Sequence, residues 1–251
     1  MPDALLPSWN DGPARRAILS FVAAATDPAG ASYIAPPQRI AAFDHDGTLW
    51  CEKPLYVQMA FILENLKENL KAQVERMPAL ASNALVQAAL RDGSAVMRST
   101  TLATFIEAAS TLGAGPTPAE YEAAARAWLA RARHPRFLVP YTRLVYQPML
   151  ELMRYLRAHG FTVIICSGGG IEFVRVVADE LYGVAREHVI GTTMGYELDE
   201  ENGTLELDRA PSLVGPANVG AGKPINIQHR IGRQPVFAAG NSMGDVEMLR
   251  V

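Results

Sequence analysis

Residues 39–49, RIAAFDHDGTL, set a short apolar run against two aspartates. The run Ile40 to Phe43 stops at Asp44; Asp46 follows two residues later, with Gly47 and Thr48 behind it. An apolar run of this length ending in polar chemistry predicts a buried parallel strand that presents side chains at its carboxyl end. Open α/β sheets hold their ligands at that end. In extended backbone Asp44 and Asp46 share a face, and His45 between them points the other way, toward a structural role. Gly47 lets the chain turn sharply. Two simpler readings compete. A calcium loop needs further oxygen ligands at fixed spacing and a closing glutamate, and Thr48, Leu49, Trp50 and Cys51 do not supply them. A plain turn explains Asp-x-Asp-Gly locally, so the decision rests on the rest of the chain.

Working outward, FTVIIC (161–166) is a second buried strand that ends in Ser167-Gly168-Gly169-Gly170. Residues 189–191 give a third. PVFAAG (235–240) gives a fourth, ending in Asn241-Ser242-Met243-Gly244-Asp245. Helical patterns lie between them: Pro13 to Ala25 with Asn10 or Asp11 near its cap, residues 147–159 stopped by Gly160, and Ile171 to Tyr182. Strands alternating with helices imply an α/β fold with a parallel sheet and right-handed crossovers. Such a sheet gathers Asp44, Asp46, Ser167, Asn241 and Asp245 on one rim, which a plain turn does not explain. Residues 193–209 read as a hairpin turning at Glu201-Asn202-Gly203, with Asp199 to Glu201 as a solvated tip.

Between Pro54 and Arg133 the pattern is helical, with Phe61, Ile62, Leu66 and Leu70 at helical spacing. Pro78 opens a second helix that Gly93 ends, a third runs over about 94–109, and Thr117, Pro118 and Glu120 form the start of a fourth. The expected organisation is a core of residues 1–50 and 140–251 with a helical insertion, 51–139, after the first strand. The chain stops at Val251, shortly after Asp245. A doubly wound sheet ordinarily continues with a full helix and a further strand, so a truncated product is expected.

The 251 residues have ordinary globular composition, 49% hydrophobic and 20% charged. A net charge of −3 gives no reason to expect nucleic acid or an acidic membrane surface as partner. No apolar run is long enough to span a bilayer. Cys51 and Cys166 lack metal or redox spacing, which fits a cytoplasmic protein. Arg15-Arg16 before AILSFVAAA is a weak secretory alternative, outweighed by the helix starting at Pro13. Oligomeric state is left open. GAGK before Pro224 is not a P-loop: position 217 is Ala where Gly is needed, and Pro224 stands where Ser or Thr should be.

Taken together, FDHDGTL, ICSGGG, GKP and GNSMGD resemble, in order and spacing, the motifs of the haloacid dehalogenase superfamily of hydrolases. The helical insertion resembles the cap of its phosphoserine-phosphatase-like branch. The resemblance implies a Rossmann-like core, a mobile cap, Mg²⁺, and hydrolysis of a small-molecule phosphate ester through an aspartyl-phosphate. It also implies the roles: Asp44 as nucleophile, Asp46 as general acid and base, and Thr48 and Ser167 as hydroxyls holding the phosphoryl group. Lys223 is implied as the neutralising lysine. Asp44, the Asp46 carbonyl and the last motif, through Asn241 or Asp245, are the implied metal shell. The N–H groups of Gly168, Gly169 and Gly170, read as a helix entrance, offer a seat for phosphate oxygens.

Charge makes these residue types necessary. Asp44, Asp46 and Asp245 with a phosphomonoester dianion, offset by Lys223, leave about −4. Each unscreened pair near 4 Å costs about 4 kcal/mol at an effective dielectric of about 20. A divalent cation and a proton on Asp46 bring the total to about −1, and that proton is the one the leaving alcohol needs.

Several residues depart from the pattern or are not promoted. Asn241 stands where many members have Asp, and an amide oxygen can ligate Mg²⁺ only without charge. Lys53, preceded by Glu52, occupies the place of the phosphoserine phosphatases' substrate-binding glutamate, which leaves the natural substrate open. Arg98 is a candidate for an anionic substrate tail but reads more simply as a solvated helix arginine; Trp50 either walls the pocket or packs at the hinge, with packing preferred; and Cys166 reads as facing the core. The rival functions are a phosphotransferase or phosphosugar mutase using the same aspartates, and a truncated, inactive binding module. A true dehalogenase needs neither the second aspartate nor a metal.

Overall fold

The computed structural model describes residues 6–76, 116–201 and 204–251. Strand β1 is Ile40–Phe43, with all four side chains buried. It pairs in parallel with β2, Thr162–Gly170, in the register Phe43 to Ile165. On its other side it pairs with β6, Phe237–Ala239, in the register Phe43 to Ala239. Strand β3, Val189–Thr192, lies outside β2, so the sheet order is β3-β2-β1-β6. The chain therefore winds one way from β1 through β3 and returns to the opposite side of β1 with β6. The crevice opened by that reversal lies beyond the carboxyl ends of β1, β2 and β6.

Alternation along the strands sorts the core into two layers. Ala41, Phe43, Val163 and Ile165 face one layer, and Ile40, Ala42, Ile164 and Cys166 face the other. The first layer packs against helices α1 (Pro13–Thr26), α4 (Gln147–Ala158) and α5 (Ile171–Tyr182), through Val22, Leu152 and Phe173 among others. The second packs against Ile227 of α6 (Gly222–Ile231) and Met248 of α7 (Val246–Arg250). Cover on both faces is why the strands read as continuous apolar runs. Helix α1 begins at Pro13 as expected, but its cap is Gly12 with no side-chain bond; Asp11 instead pairs with Arg15 and Arg16.

The insertion contributes α2, Val57–Arg76, and α3, Pro118–Arg131. Thr117 and Glu120 close a reciprocal capping box at the start of α3. Trp128 donates to Glu64 at 2.9 Å, and Phe61 stacks on Phe173 of α5 with centroids 5.6 Å apart. Both helices are thus tied to each other and to the core. The helices expected from Pro78 and over 94–109, with Arg98, lie outside the described residues. Strands β4 (Met194–Glu201) and β5 (Thr204–Leu213) form the expected hairpin, extended by four residues. Positions 202 and 203 of its turn are outside the described residues.

Candidate active site

The end of β1 delivers Asp44 into a charged junction. Lys223, in the first turn of α6 and 1% exposed, donates to Asp44 Oδ1 at 2.5 Å, Asp245 Oδ1 at 2.6 Å and the Cys166 carbonyl at 2.8 Å. An ammonium has three protons, and all three are used. Burial pushes the Asp44 carboxyl upward more strongly than Lys223 draws it down. Burial also opposes the charge on Lys223, yet Asp44, Cys166 and Asp245 together hold its pKa above the ordinary value. Asp245 is the reverse of Asp44: Lys223 and the Ser242 N–H overcome burial and hold it low.

Asp245 has no free oxygen. Its Oδ2 accepts from the Asn241 N–H at 3.0 Å, the Ser242 N–H at 2.9 Å and the Ser242 hydroxyl at 3.1 Å. It organises the turn after β6 and anchors Lys223. Asn241 lies on the other side of Asp44. Its side-chain amide sits 3.2 Å from both Asp44 Oδ2 and the Asp46 carbonyl, and its NH₂ group donates to both. Turned over, the amide would bring three oxygens together with no hydrogen between them, an arrangement only a cation stabilises. Two side-chain oxygens and a carbonyl are a hard-cation donor set, so these residues fit Mg²⁺. Among the described residues no three His, Cys, Asp or Glu side chains cluster as a metal site; here an amide and a backbone carbonyl supply what acidic side chains do not.

Asp46 is half-buried, and Trp50 Nε1 donates to its Oδ1 at 2.8 Å. Burial lifts this carboxyl to about 7 against the pull of that hydrogen bond. A group that is proton-loaded near neutrality suits acid and base work. His45 turns away, as its position between the aspartates predicts, and lies 3.0 Å from the Tyr182 hydroxyl. Burial, then the Lys223 charge, push it down to about 3, so the ring is neutral.

A cavity of about 140 Å³ opens beside this junction, lined by Asp44, Asp46, Gly168, Gly169, Lys223 and Asp245. Its far wall is Tyr56, Met59, Ile62, Tyr121, Met194 and Arg209. Thr48, Ser167 and Asn241 are not among the lining residues. Thr48 donates to Asp44 Oδ2 at 3.1 Å, and the Ser167 oxygen accepts from the Gly169 N–H at 3.0 Å. Residues Gly168 to Gly170 prolong β2 instead of opening the helix, and the Gly170 N–H is taken by Gln58 at 2.7 Å. Gln58 also donates to the Tyr121 hydroxyl at 3.0 Å, joining α2, α3 and the end of β2.

Four contributors lie outside the sequence reading. Trp50 was expected to pack, and it does, but it also bonds Asp46. Gln58 is a polar residue at a helix start with nothing in the sequence to mark its target. Arg209 on β5 is paired with Glu172 of α5 at 3.1 and 3.2 Å, both buried, with its guanidinium 3.8 Å from the Tyr121 ring centre. Asn218 is fully buried and donates to the Ser167 carbonyl at 2.7 Å, fixing the end of β2. Strand pairing, helical period and motif spacing carry no trace of these partnerships.

A parallel α/β sheet with two carboxylates and a buried lysine at the strand ends defines a hydrolase-type site on a Rossmann-like core. Residues 41–250 match the model of the haloacid dehalogenase-like hydrolases, and the chain belongs to that family. No curated protein is similar enough in sequence to count as a match. Among solved structures, the chain is similar to a conserved functionally unknown protein from Anaerococcus prevotii. The two are 16% identical with a TM-score of 0.58, over 93% of this chain and 81% of that one. It is also similar to a protein with unknown function from Bordetella pertussis, at 19% identity and TM-score 0.48, covering 76% of this chain and 73% of the other. A phosphoserine phosphohydrolase-like protein from Francisella tularensis matches at 15% identity and TM-score 0.46, covering 84% and 81%. At these identities the likeness concerns the fold. Among the described residues no helix is long and apolar enough to cross a membrane.

Proposed function

We propose that this hydrolase is a Mg²⁺-dependent phosphatase acting on a small phosphomonoester through an aspartyl-phosphate on Asp44. The observation that carries the reading is the Lys223 ammonium held between Asp44 and Asp245 in the lining of the cavity. A buried carboxylate beside a fixed cation is a nucleophile whose repulsion of a phosphate dianion is partly offset.

The two Asp44 oxygens have different surroundings, which supports a division of labour. Oδ2 faces Thr48, Asn241 and the Asp46 carbonyl, the side suited to the cation. Oδ1 faces Lys223 and is the oxygen assigned to attack. Asp46 gives its proton to the leaving alcohol and then takes one from the water that cleaves the acyl phosphate. The chemistry Mg²⁺ supplies, when held by Asp44, the Asp46 carbonyl and Asn241, is neutralisation of phosphoryl charge. Asp245 is assigned to hold Lys223 and not to touch the metal.

Residues 51–139 act as a cap over the core of 1–50 and 140–251, with Gln58 and Tyr121 forming cavity wall. The free thiols of Cys51 and Cys166 suit a cytoplasmic setting. The reading is tested by hydrolysis of p-nitrophenyl phosphate with and without Mg²⁺, comparing the natural protein with Asp44→Asn. Turnover should require the metal and vanish in the variant; activity surviving either change would overturn the mechanism.

A further inference from the structure

Three aromatic rings, those of Trp50, His45 and Tyr182, pack in series beside Asp46. The loop is pinned by its own backbone: the Gly47 N–H donates to the Trp50 carbonyl at 2.9 Å, and the Leu49 N–H to the His45 carbonyl at 2.8 Å. This brings the indole of Trp50 back alongside Asp46, where Nε1 meets Oδ1 at 2.8 Å. The indole is 1% exposed and lies against the His45 ring, centroids 4.4 Å apart. His45 is held in turn by the Tyr182 hydroxyl at 3.0 Å. None of these three rings lines the cavity.

An indole N–H donates and cannot accept. It therefore occupies Asp46 Oδ1 and leaves Oδ2. That second oxygen is on the side of Gly169, a cavity residue: a Cβ placed on Gly169 would lie 3.8 Å from it. The carbonyl oxygen of a neutral carboxyl is the better acceptor, so with Oδ1 engaged the proton belongs on Oδ2.

We infer that Trp50 is a positioning residue for Asp46, its N–H fixing the carboxyl plane and reserving Oδ2 for proton exchange with the leaving group and water. The inference rests on the phosphatase reading. In the first half-reaction the bond from Asp44 Oδ1 to phosphorus forms. The bond from phosphorus to the leaving oxygen breaks with its electron pair, and the proton on Asp46 Oδ2 moves to that oxygen. In the second, water attacks phosphorus and gives a proton to Asp46 Oδ2, and the Asp44–phosphorus bond breaks with its pair returning to Asp44. Without the indole N–H the carboxyl can turn and carry its proton on either oxygen. The cost then falls on leaving groups that need the proton.

The test compares Trp50→Phe with the natural protein on aryl phosphates ranging from p-nitrophenyl, a weakly basic leaving group, through phenyl to p-methoxyphenyl. kcat/KM reports the first half-reaction. The variant should retain p-nitrophenyl phosphate hydrolysis within about threefold and lose on the order of tenfold on p-methoxyphenyl phosphate. The plot of log kcat/KM against leaving-group pKa then steepens. Tyr182→Phe, which disturbs the same rings without touching Asp46, should keep the natural slope. A uniform loss across the series, no loss, or the same steepening in Tyr182→Phe would overturn the inference. If Phe at position 50 does not fold, 3-benzothienylalanine there, which exchanges the N–H for sulfur at constant shape, carries the same comparison. A natural protein inert toward the whole series would overturn the phosphatase reading itself, a result distinct from a uniform loss in an active one.

Discussion

Replacing Lys223 by methionine keeps most of the side-chain volume and removes the ammonium. Three acceptors then lose a donor at once: Asp44 Oδ1, Asp245 Oδ1 and the Cys166 carbonyl. Asp44 is 6% exposed and Asp245 1%, so neither carboxylate is well solvated. Removing one partner from a buried ion pair costs roughly 3–5 kcal/mol. Proton uptake sets a ceiling on that cost. A carboxyl that ionises near pH 4 is held neutral at pH 7 for about 4 kcal/mol, and one proton shared by the two carboxylates relieves most of their repulsion. The expected loss at pH 7 is therefore about 4 kcal/mol, or roughly 8–16 °C in Tm for a chain of this size. The sign with pH follows from the same bound. In the variant a carboxyl has its folded-state pKa raised, so the cost is incurred above its unfolded pKa and fades as pH falls toward it. Between pH 7 and pH 5 the deficit should shrink by roughly 3 kcal/mol. Urea unfolding followed by tryptophan fluorescence, in EDTA so that no divalent cation replaces the ammonium, measures both numbers. A deficit under about 1 kcal/mol at pH 7, or one that grows on acidification, would refute the argument that Lys223 compensates two buried charges.

Two further outcomes follow from the same geometry. Asn241→Asp adds a charged oxygen beside Asp44 Oδ2 and should lower the Mg²⁺ concentration for half-maximal activity on the order of tenfold; an unchanged or higher requirement in a metal titration would count against Asn241 as a ligand. Arg209→Met removes the charge partner of the buried Glu172 carboxylate, which keeps the Tyr196 hydroxyl, and should cost roughly 3–5 kcal/mol in urea unfolding, with Glu172→Leu in the same chain recovering most of it; equal losses in single and double variants would show that the pair is not coupled.

Much of the site was legible because strand ends announce themselves. The apolar runs give way to polar residues at Asp44, Ser167 and Asn241, and the parallel pairing puts these three positions within one residue of level. The Thr117–Glu120 box was legible because both partners lie within one helical turn. The orientation of the donors was not. Thr48 and Ser167 were expected to reach a phosphoryl group; in the structure the Thr48 hydroxyl donates to Asp44 and the Ser167 oxygen accepts from the Gly169 N–H. Asn241 and Asp245 were equal candidates for the metal in the sequence; in the structure both oxygens of Asp245 accept hydrogen bonds, while the Asn241 amide lies beside Asp44 Oδ2 and the Asp46 carbonyl.

The linear order of apolar runs, breakers and carboxylates determined the α/β class and the rim on which polar side chains gather, because hydrophobic period and strand-end polarity are local properties; the roles proposed for those side chains came from the resemblance of the motifs. Only the tertiary structure decided which oxygen of each carboxyl faces which partner. Lys223 meets Asp44 across 179 positions and Arg209 meets Glu172 across 37. A hydrogen bond depends on angles and distances set by packing in three dimensions, and those are fixed only once α6, the β4–β5 hairpin and the loop carrying Trp50 have docked against the sheet.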